Sequence, residues 1–137
     1  MNYDVRETKQ ISNEKITELY KSVGWSKYIE DVDKMKRAFE NSLLVLSAWK
    51  DDELLGLVRV IGDGETILYI QDLLVKPSAK RQGIASMLVK SVIDKYPGVR
   101  QKVLITDDNV ESTSFYQSIG FKESTKLNIK AFVKFEL

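Results

Sequence analysis

Between residues 12 and 24 apolar side chains return every three or four positions: Ile16, Leu19, Tyr20 and Val23 stripe a segment otherwise made of Lys, Glu, Thr and Ser. That spacing predicts an amphipathic helix, with Ser12 as its N-cap, Glu14 in its first turn and Gly24 as its stop. Tyr3–Glu7 reads as a short strand before it. A second helix is expected to begin near Glu30 and Asp31, burying Val32, Met35 and Phe39 and leaving Lys34, Lys36 and Arg37 in solvent. From Leu43 onward the pattern is that of strands. Leu43–Trp49, Leu54–Ile61 and Thr66–Val75 are separated by Asp51-Asp52-Glu53 and Gly62-Asp63-Gly64-Glu65, which predicts an antiparallel meander. After Pro77 the helical period returns in Ile84, Ala85, Leu88, Val89, Val92, Ile93 and Tyr96, and Pro97-Gly98 ends it. Val103–Ile105 then reads as a buried strand, so strand, helix and strand imply a parallel pair. A short helix from about Asn109 to Ile119 stops at Gly120, and Phe121 onward, with Ile129–Phe135, is expected to supply the last strands. With no repeat or linker, the pattern predicts one α/β domain over residues 1–137 with a mixed, mostly antiparallel sheet.

Composition narrows the chemistry. The 137 residues are 43% hydrophobic, and a chain of this length buries roughly two-thirds of its unfolded surface, enough for a core without staples. Lys and Arg number 21 and Asp and Glu 20, so no global field favours DNA, RNA or an anionic membrane. The chain has no Cys and no His. Thiolate metal sites and Ser-His or Cys-His nucleophiles are excluded, and no metal is expected. No apolar run approaches the roughly 20 residues needed to span a bilayer, and Met1-Asn2-Tyr3-Asp4 does not resemble a signal sequence. The expectation is a cytoplasmic protein with neither membrane nor nucleic acid as partner.

The informative stretch is Leu73-Leu74-Val75-Lys76-Pro77-Ser78-Ala79-Lys80-Arg81-Gln82-Gly83-Ile84-Ala85-Ser86. A buried strand ends, a basic loop comes next and a helix begins. Free N–H groups at a helix N-terminus and the helix dipole favour an anion, Gly83 lets the backbone approach it, and Lys80 and Arg81 add charge. The residues alone support either a phosphate site, most simply for a pyrophosphate, or an ordinary strand-to-helix turn with solvated charges.

Leu73-x-Val75-x-Pro77 followed by Lys80-Arg81-Gln82-Gly83-Ile84-Ala85 resembles the acyl-CoA motif of the GNAT superfamily, Gln/Arg-x-x-Gly-x-Gly/Ala. Asn109-x-x-Ser112-x-x-Phe115-Tyr116-x-x-x-Gly120-Phe121 resembles its second signature, Asn-x-x-Ala-x-x-Phe/Leu-Tyr-x-x-x-Gly-Phe. Two positions depart from the pattern. Lys80 stands where Gln or Arg is usual, losing the planar fork that grips a phosphate, and Ser112 replaces an Ala.

The resemblance implies the GNAT acyltransferase fold, with a central parallel pair splayed at a β-bulge and about four flanking helices. It also implies acetyl-CoA as co-substrate and transfer of its acetyl group to a primary amine, small-molecule or protein, by direct attack in a ternary complex. By the same resemblance Leu73, Leu74 and Val75 pair with the pantetheine arm, and backbone N–H groups from Arg81 to Ser86 hold the pyrophosphate. Asn109, Ser112 and Phe115 then line the pantetheine side, Tyr116 stands beside the thioester sulfur, and a homodimer is common. Read from the residues alone, Asn109 is also open as a plain N-cap, Phe115 as a core side chain and Tyr116 as a half-buried aromatic on a short helix. A non-catalytic acyl-CoA-binding or regulatory domain is the alternative, and the intact Tyr116 speaks against it.

With no His, the general base is open between Asp72, Glu65, Tyr69 and water, and strand alternation turns Asp72 to the wrong face unless a bulge re-aims it. Gly24-Trp25-Ser26-Lys27-Tyr28 joins the first two helices. Its Trp25 and Tyr28 either pack an aromatic or aliphatic amine or cap the core.

Overall fold

Three long strands, β2 (Leu44–Lys50), β3 (Glu53–Gly62) and β4 (Ile67–Val75), form the antiparallel meander that the hydrophobic runs predict. The structure is a computed structural model that describes residues 2–136. β1 (Asp4–Glu7) pairs antiparallel with β2, and β5 (Gln101–Leu104) pairs parallel with β4. The sheet order is therefore β1-β2-β3-β4-β5, and the parallel pair stands at one edge of these five strands rather than at the centre. The backbone gathers into two compact units, one up to Ile105 and one from Thr106 onward.

In the first unit, α1 (Asn13–Ser22) and α2 (Val32–Glu40) start where their caps dictate. Ser12 Oγ accepts from Lys15 N at 3.3 Å, and Asp31 Oδ1 accepts from Lys34 N at 3.1 Å. A four-residue 3-10 turn, Ser26–Ile29, joins them. Ile16, Leu19 and Tyr20 of α1 and Phe39 of α2 bury themselves against Val45, Trp49, Leu57 and Leu74 of the sheet. Val32 is 39% exposed, against expectation, because α2 buries a narrow stripe centred on Phe39. The alternate strand residues Leu44, Leu46, Val58, Val60, Leu68 and Ile70 are also buried, and α3 (Ile84–Lys95) packs on β2, β3 and β4 with Ile84, Leu88, Val89 and Val92. Each such side chain is worth about 1.5–3 kcal/mol of burial, so helices on both faces of the sheet account for its continuous apolar runs.

Two irregularities shape the sheet. Leu55 is an extra residue on β3, since Ala48 pairs with Gly56 and Trp49 with Leu54. Its carbonyl accepts from Lys76 N at 2.8 Å. Gln71 is an extra residue on β4, since Arg59 pairs with Asp72 and Val60 with Ile70. The Lys76 ammonium bonds Glu18 at 2.9 Å and Glu53 at 3.1 Å, tying the end of β4 to α1 and β3.

The second unit holds α4 (Val110–Ser118), capped by Asn109 Oδ1 accepting from Ser112 N at 2.8 Å and succeeded by Gly120 at φ +98°. A 3-10 turn over Ser124–Leu127 comes next. The strands expected from Phe121 onward and over Ile129–Phe135 are not formed among the described residues. Ile129, Ala131, Val133 and Phe135 do alternate with other positions. But a strand exists only as one side of a hydrogen-bonded ladder, and sequence periodicity supplies no partner.

Candidate active site

The bulge at Gln71 decides the geometry of β4. Leu68, Ile70 and Asp72 share parity, so an unbroken strand would turn all three to the α3 side. The extra residue pairs Asp72 with Arg59 instead and turns it toward α1. The parallel ladder with β5 ends one residue before the bulge, at Ile70–Leu104. Beyond it, Asp72 to Val75 pair with β3 on one side only, and among the described residues no strand covers the other. An extended ligand carrying amide groups can add there as a further strand.

That open edge runs into the basic loop. Pro77–Ala79 form a 3-10 turn, Lys80 is extended, and Arg81 and Gly83 adopt left-handed φ of 66° and 78°. A Cβ on Gly83 would meet nothing within 4 Å, so what glycine contributes is an unstrained positive φ, not relief from crowding. The first helical bond of α3 is Met87 N to Gly83 O at 3.0 Å. The N–H groups of Ile84, Ala85 and Ser86 therefore lack intrahelical acceptors. Of the four α-helices among the described residues, α1, α2 and α4 are capped by a side-chain oxygen; α3 begins at a glycine that offers none and has no acidic residue in its first turn. Lys80, Arg81 and Gln82 are exposed beside it. Uncompensated N–H groups, the helix dipole and two cations fit a diphosphate.

On the α1 side of β4, Asp72 is 2% exposed. Its Oδ2 accepts from Arg59 Nε at 2.8 Å and from the Tyr20 hydroxyl at 3.0 Å, and Arg59 Nη1 donates to Ser42 Oγ at 3.3 Å. Burial, then the Asp72 charge, push the Tyr20 phenol well above the ordinary tyrosine range. Tyr69, half-buried on β4, is also pushed up, by burial first and then by Tyr28 and Asp72. The rings of Tyr20, Trp25 and Tyr28 lie 5.7–6.0 Å apart, centroid to centroid. Trp25 is partly buried against the core cluster and Tyr28 is 44% exposed. Glu65 sits in the β3–β4 turn, where its N–H donates to Asp63 Oδ1. At about 3.3 Å per strand residue it lies roughly 25 Å along the chain from Leu73, too far to act there.

The structure thus brings Leu73, Leu74, Val75, Lys80, Arg81, Gln82, Gly83, Ile84, Ala85 and Ser86 onto one strand, one loop and one helix start. Asn109, Ser112, Phe115 and Tyr116 belong to the second unit. There Asn109 is the α4 cap, while Phe115 and Tyr116 are half-buried with rings 5.0 Å apart, and Tyr116 stacks edge-on to Phe121 at 5.9 Å. Burial raises the Tyr116 phenol above its ordinary value. Reading the sequence missed Tyr20 and Arg59. The signal was an Arg inside one apolar strand run and an Asp inside the next. Among the described residues no cluster of acidic side chains suits a metal, and no helix is long and apolar enough to cross a membrane.

A five-stranded mixed sheet with a bulged fourth strand leading into an uncapped helix makes the described residues a mixed α/β fold. The GNAT acetyltransferase domain model matches residues 7–135, and the chain belongs to that family. A GNAT-family acetyltransferase of Streptococcus pneumoniae is 28% identical, with a TM-score of 0.86 over 98% of each chain. An uncharacterized ycf52-like N-acetyltransferase of Prochlorococcus marinus is 33% identical over 123 residues, 85% of this chain and 66% of that protein. The chain thus spans just under two thirds of that relative's length. The fold is shared with an aminoglycoside N-acetyltransferase, AAC(6')-Iy, solved in complex with CoA, at a TM-score of 0.72 and 19% identity over 98% of this chain and 94% of that one.

Proposed function

We propose that this chain is an acetyl-CoA-dependent N-acetyltransferase that acts as one GNAT domain and transfers the acetyl group to a primary amine in a ternary complex. The observation that carries this reading is the continuity of the open β4 edge, the basic loop and the uncapped start of α3. Leu73, Leu74 and Val75 offer backbone groups to the amides of a pantetheine arm. Arg81 to Ser86 offer N–H groups to its pyrophosphate, with Lys80 and Arg81 supplying charge. Acetyl-CoA brings an activated thioester to the edge.

The chain's own groups then have three tasks. A β4 backbone N–H stabilises the oxyanion as the amine nitrogen attacks the carbonyl carbon. Tyr116 donates to the departing thiolate, with Asn109, Ser112 and Phe115 shaping the pantetheine side. Burial holds the Tyr116 phenol above the ordinary 10.0, so full proton transfer to a thiolate near 8.5 is uphill by at least about 2 kcal/mol and Tyr116 acts chiefly as a hydrogen-bond donor. Asp72 Oδ2 is already engaged by Arg59 and Tyr20, and Tyr69, its pKa raised by burial, keeps its own proton, so the amine's proton passes to water. The Trp25 and Tyr28 rings favour a small-molecule amine with an apolar body.

Calorimetric titration with CoA, then thiol release across a broad amine panel, tests this reading. Gly83→Glu, which sets an anion against the pyrophosphate, is expected to abolish CoA binding without unfolding the protein. With an accepted amine, double-reciprocal lines should intersect. Parallel lines would indicate an acyl-enzyme, and CoA binding without turnover of any amine would leave a binding domain.

A further inference from the structure

The Tyr20–Asp72 hydrogen bond joins the wall of the first helical connection to the strand that carries the proposed reaction. Tyr20 packs edge-on or tilted against Trp25 at 6.0 Å, Tyr28 at 5.8 Å and Phe39 at 6.5 Å. Its carbonyl also accepts from Trp25 N at 3.0 Å, folding the connection back onto the end of α1. At the other end of the bond, Asp72 immediately precedes the open Leu73–Val75 edge and faces Tyr20 because Gln71 is bulged.

This network adds little to stability. A buried ion pair is commonly matched or bettered by apolar residues of the same volume. Both donors here converge on Oδ2, while Oδ1 is buried with no partner among the described residues. An arrangement that leaves one carboxylate oxygen unsatisfied is costly, which points to a role in geometry.

We propose that Asp72 and Tyr20 are positioning residues: the re-aimed Asp72 carboxylate clamps the Tyr20 phenol and so holds the Trp25–Tyr28 wall in register with the β4 edge, presenting the acceptor amine to the thioester. The proposal rests on the acetyltransferase reading for its reaction but not for its mechanical content. Tyr20→Phe removes one oxygen and keeps every ring contact. Asp72→Asn keeps the shape and an oxygen that can still accept from Tyr20.

In the intact chain, hydrogen exchange over residues 23–31 is expected to quicken about fivefold or more in Tyr20→Phe and less in Asp72→Asn, with β2 and β3 unchanged. CoA affinity should stay within about twofold. For an amine the parent turns over, Tyr20→Phe should raise the acceptor KM by roughly five- to fiftyfold with kcat affected far less. The pH profile of Asp72→Asn should keep its shape. Parent-like exchange and acceptor KM in Tyr20→Phe would overturn the clamp. Loss of an ionisable limb in Asp72→Asn would make Asp72 the base instead. The exchange measurement needs no substrate, so a parent that acetylates nothing counts against the acetyltransferase reading alone. Should Tyr20→Phe fail to fold, the double variant Arg59→Leu with Asp72→Leu, which removes the acceptor and leaves no buried charge, carries the exchange test: the same quickening over residues 23–31 supports the clamp, and parent-like exchange overturns it.

Discussion

Ile70 faces Leu104 on the last rung that β4 shares with β5, and the next residue of β4, Gln71, is the bulge. The coincidence means that the strands part where the hydrogen-bonding register changes. Past that point, Leu73 to Val75 are left with one backbone side unpaired among the described residues. If that side receives a pantetheine arm, its amides should be slowed by CoA. Exchange over 71–75 and 81–86 is expected to fall on CoA addition, while β1 stays unchanged. Protection confined to the helix start would mean that the β4 edge is not part of the site.

Tyr116 should be the side chain most tightly coupled to chemistry. Because burial raises its pKa above the ordinary 10.0, the phenol keeps its proton at neutral pH and can donate to a leaving thiolate. Tyr116→Phe is expected to lower kcat by roughly ten- to a thousandfold, with acetyl-CoA affinity within a few-fold. Steady-state kinetics with an amine from the panel checks this. Parent-like turnover would reduce Tyr116 to packing.

Arg59→Ala should be strongly destabilising. It leaves the Asp72 charge buried without its cation, which typically costs about 3–5 kcal/mol. Removing both charges by Arg59→Leu with Asp72→Leu should recover much of the loss. Urea unfolding of the single and double variants measures the difference. A single variant within about 1 kcal/mol of the parent would show the pair to be solvated.

Alkaline pH should destabilise the fold through Tyr20. Its folded pKa lies well above the ordinary 10.0, so above pH 10 the unfolded chain loses a proton that the folded chain keeps. Fewer protons on the unfolded state make stability fall as pH rises. The contribution is complete below pH 10 and is lost from there upward. Denaturant midpoints between pH 9 and 11 are expected to drop less steeply in Tyr20→Phe than in the parent. Equal slopes would assign the alkaline loss to other groups.

Local chemistry determined much of this protein directly from the chain. Ser12, Asp31 and Asn109 cap helices because a short polar side chain before an apolar period has few better uses. The meander arises from apolar runs divided by polar turns, and the Gly83 loop is legible because the left-handed φ it needs is most easily supplied by glycine. Tertiary structure decided what parity and pairing control. One extra residue, Gln71, turned Asp72 to the other face, and no local signal announces such an insertion, because its cause is the register with β3. The Tyr20–Asp72–Arg59 network joins residues 13 and 52 positions apart in the chain. The Ile129–Phe135 alternation predicts a strand and forms none among the described residues, because a ladder is a property of two segments and a sequence pattern belongs to one.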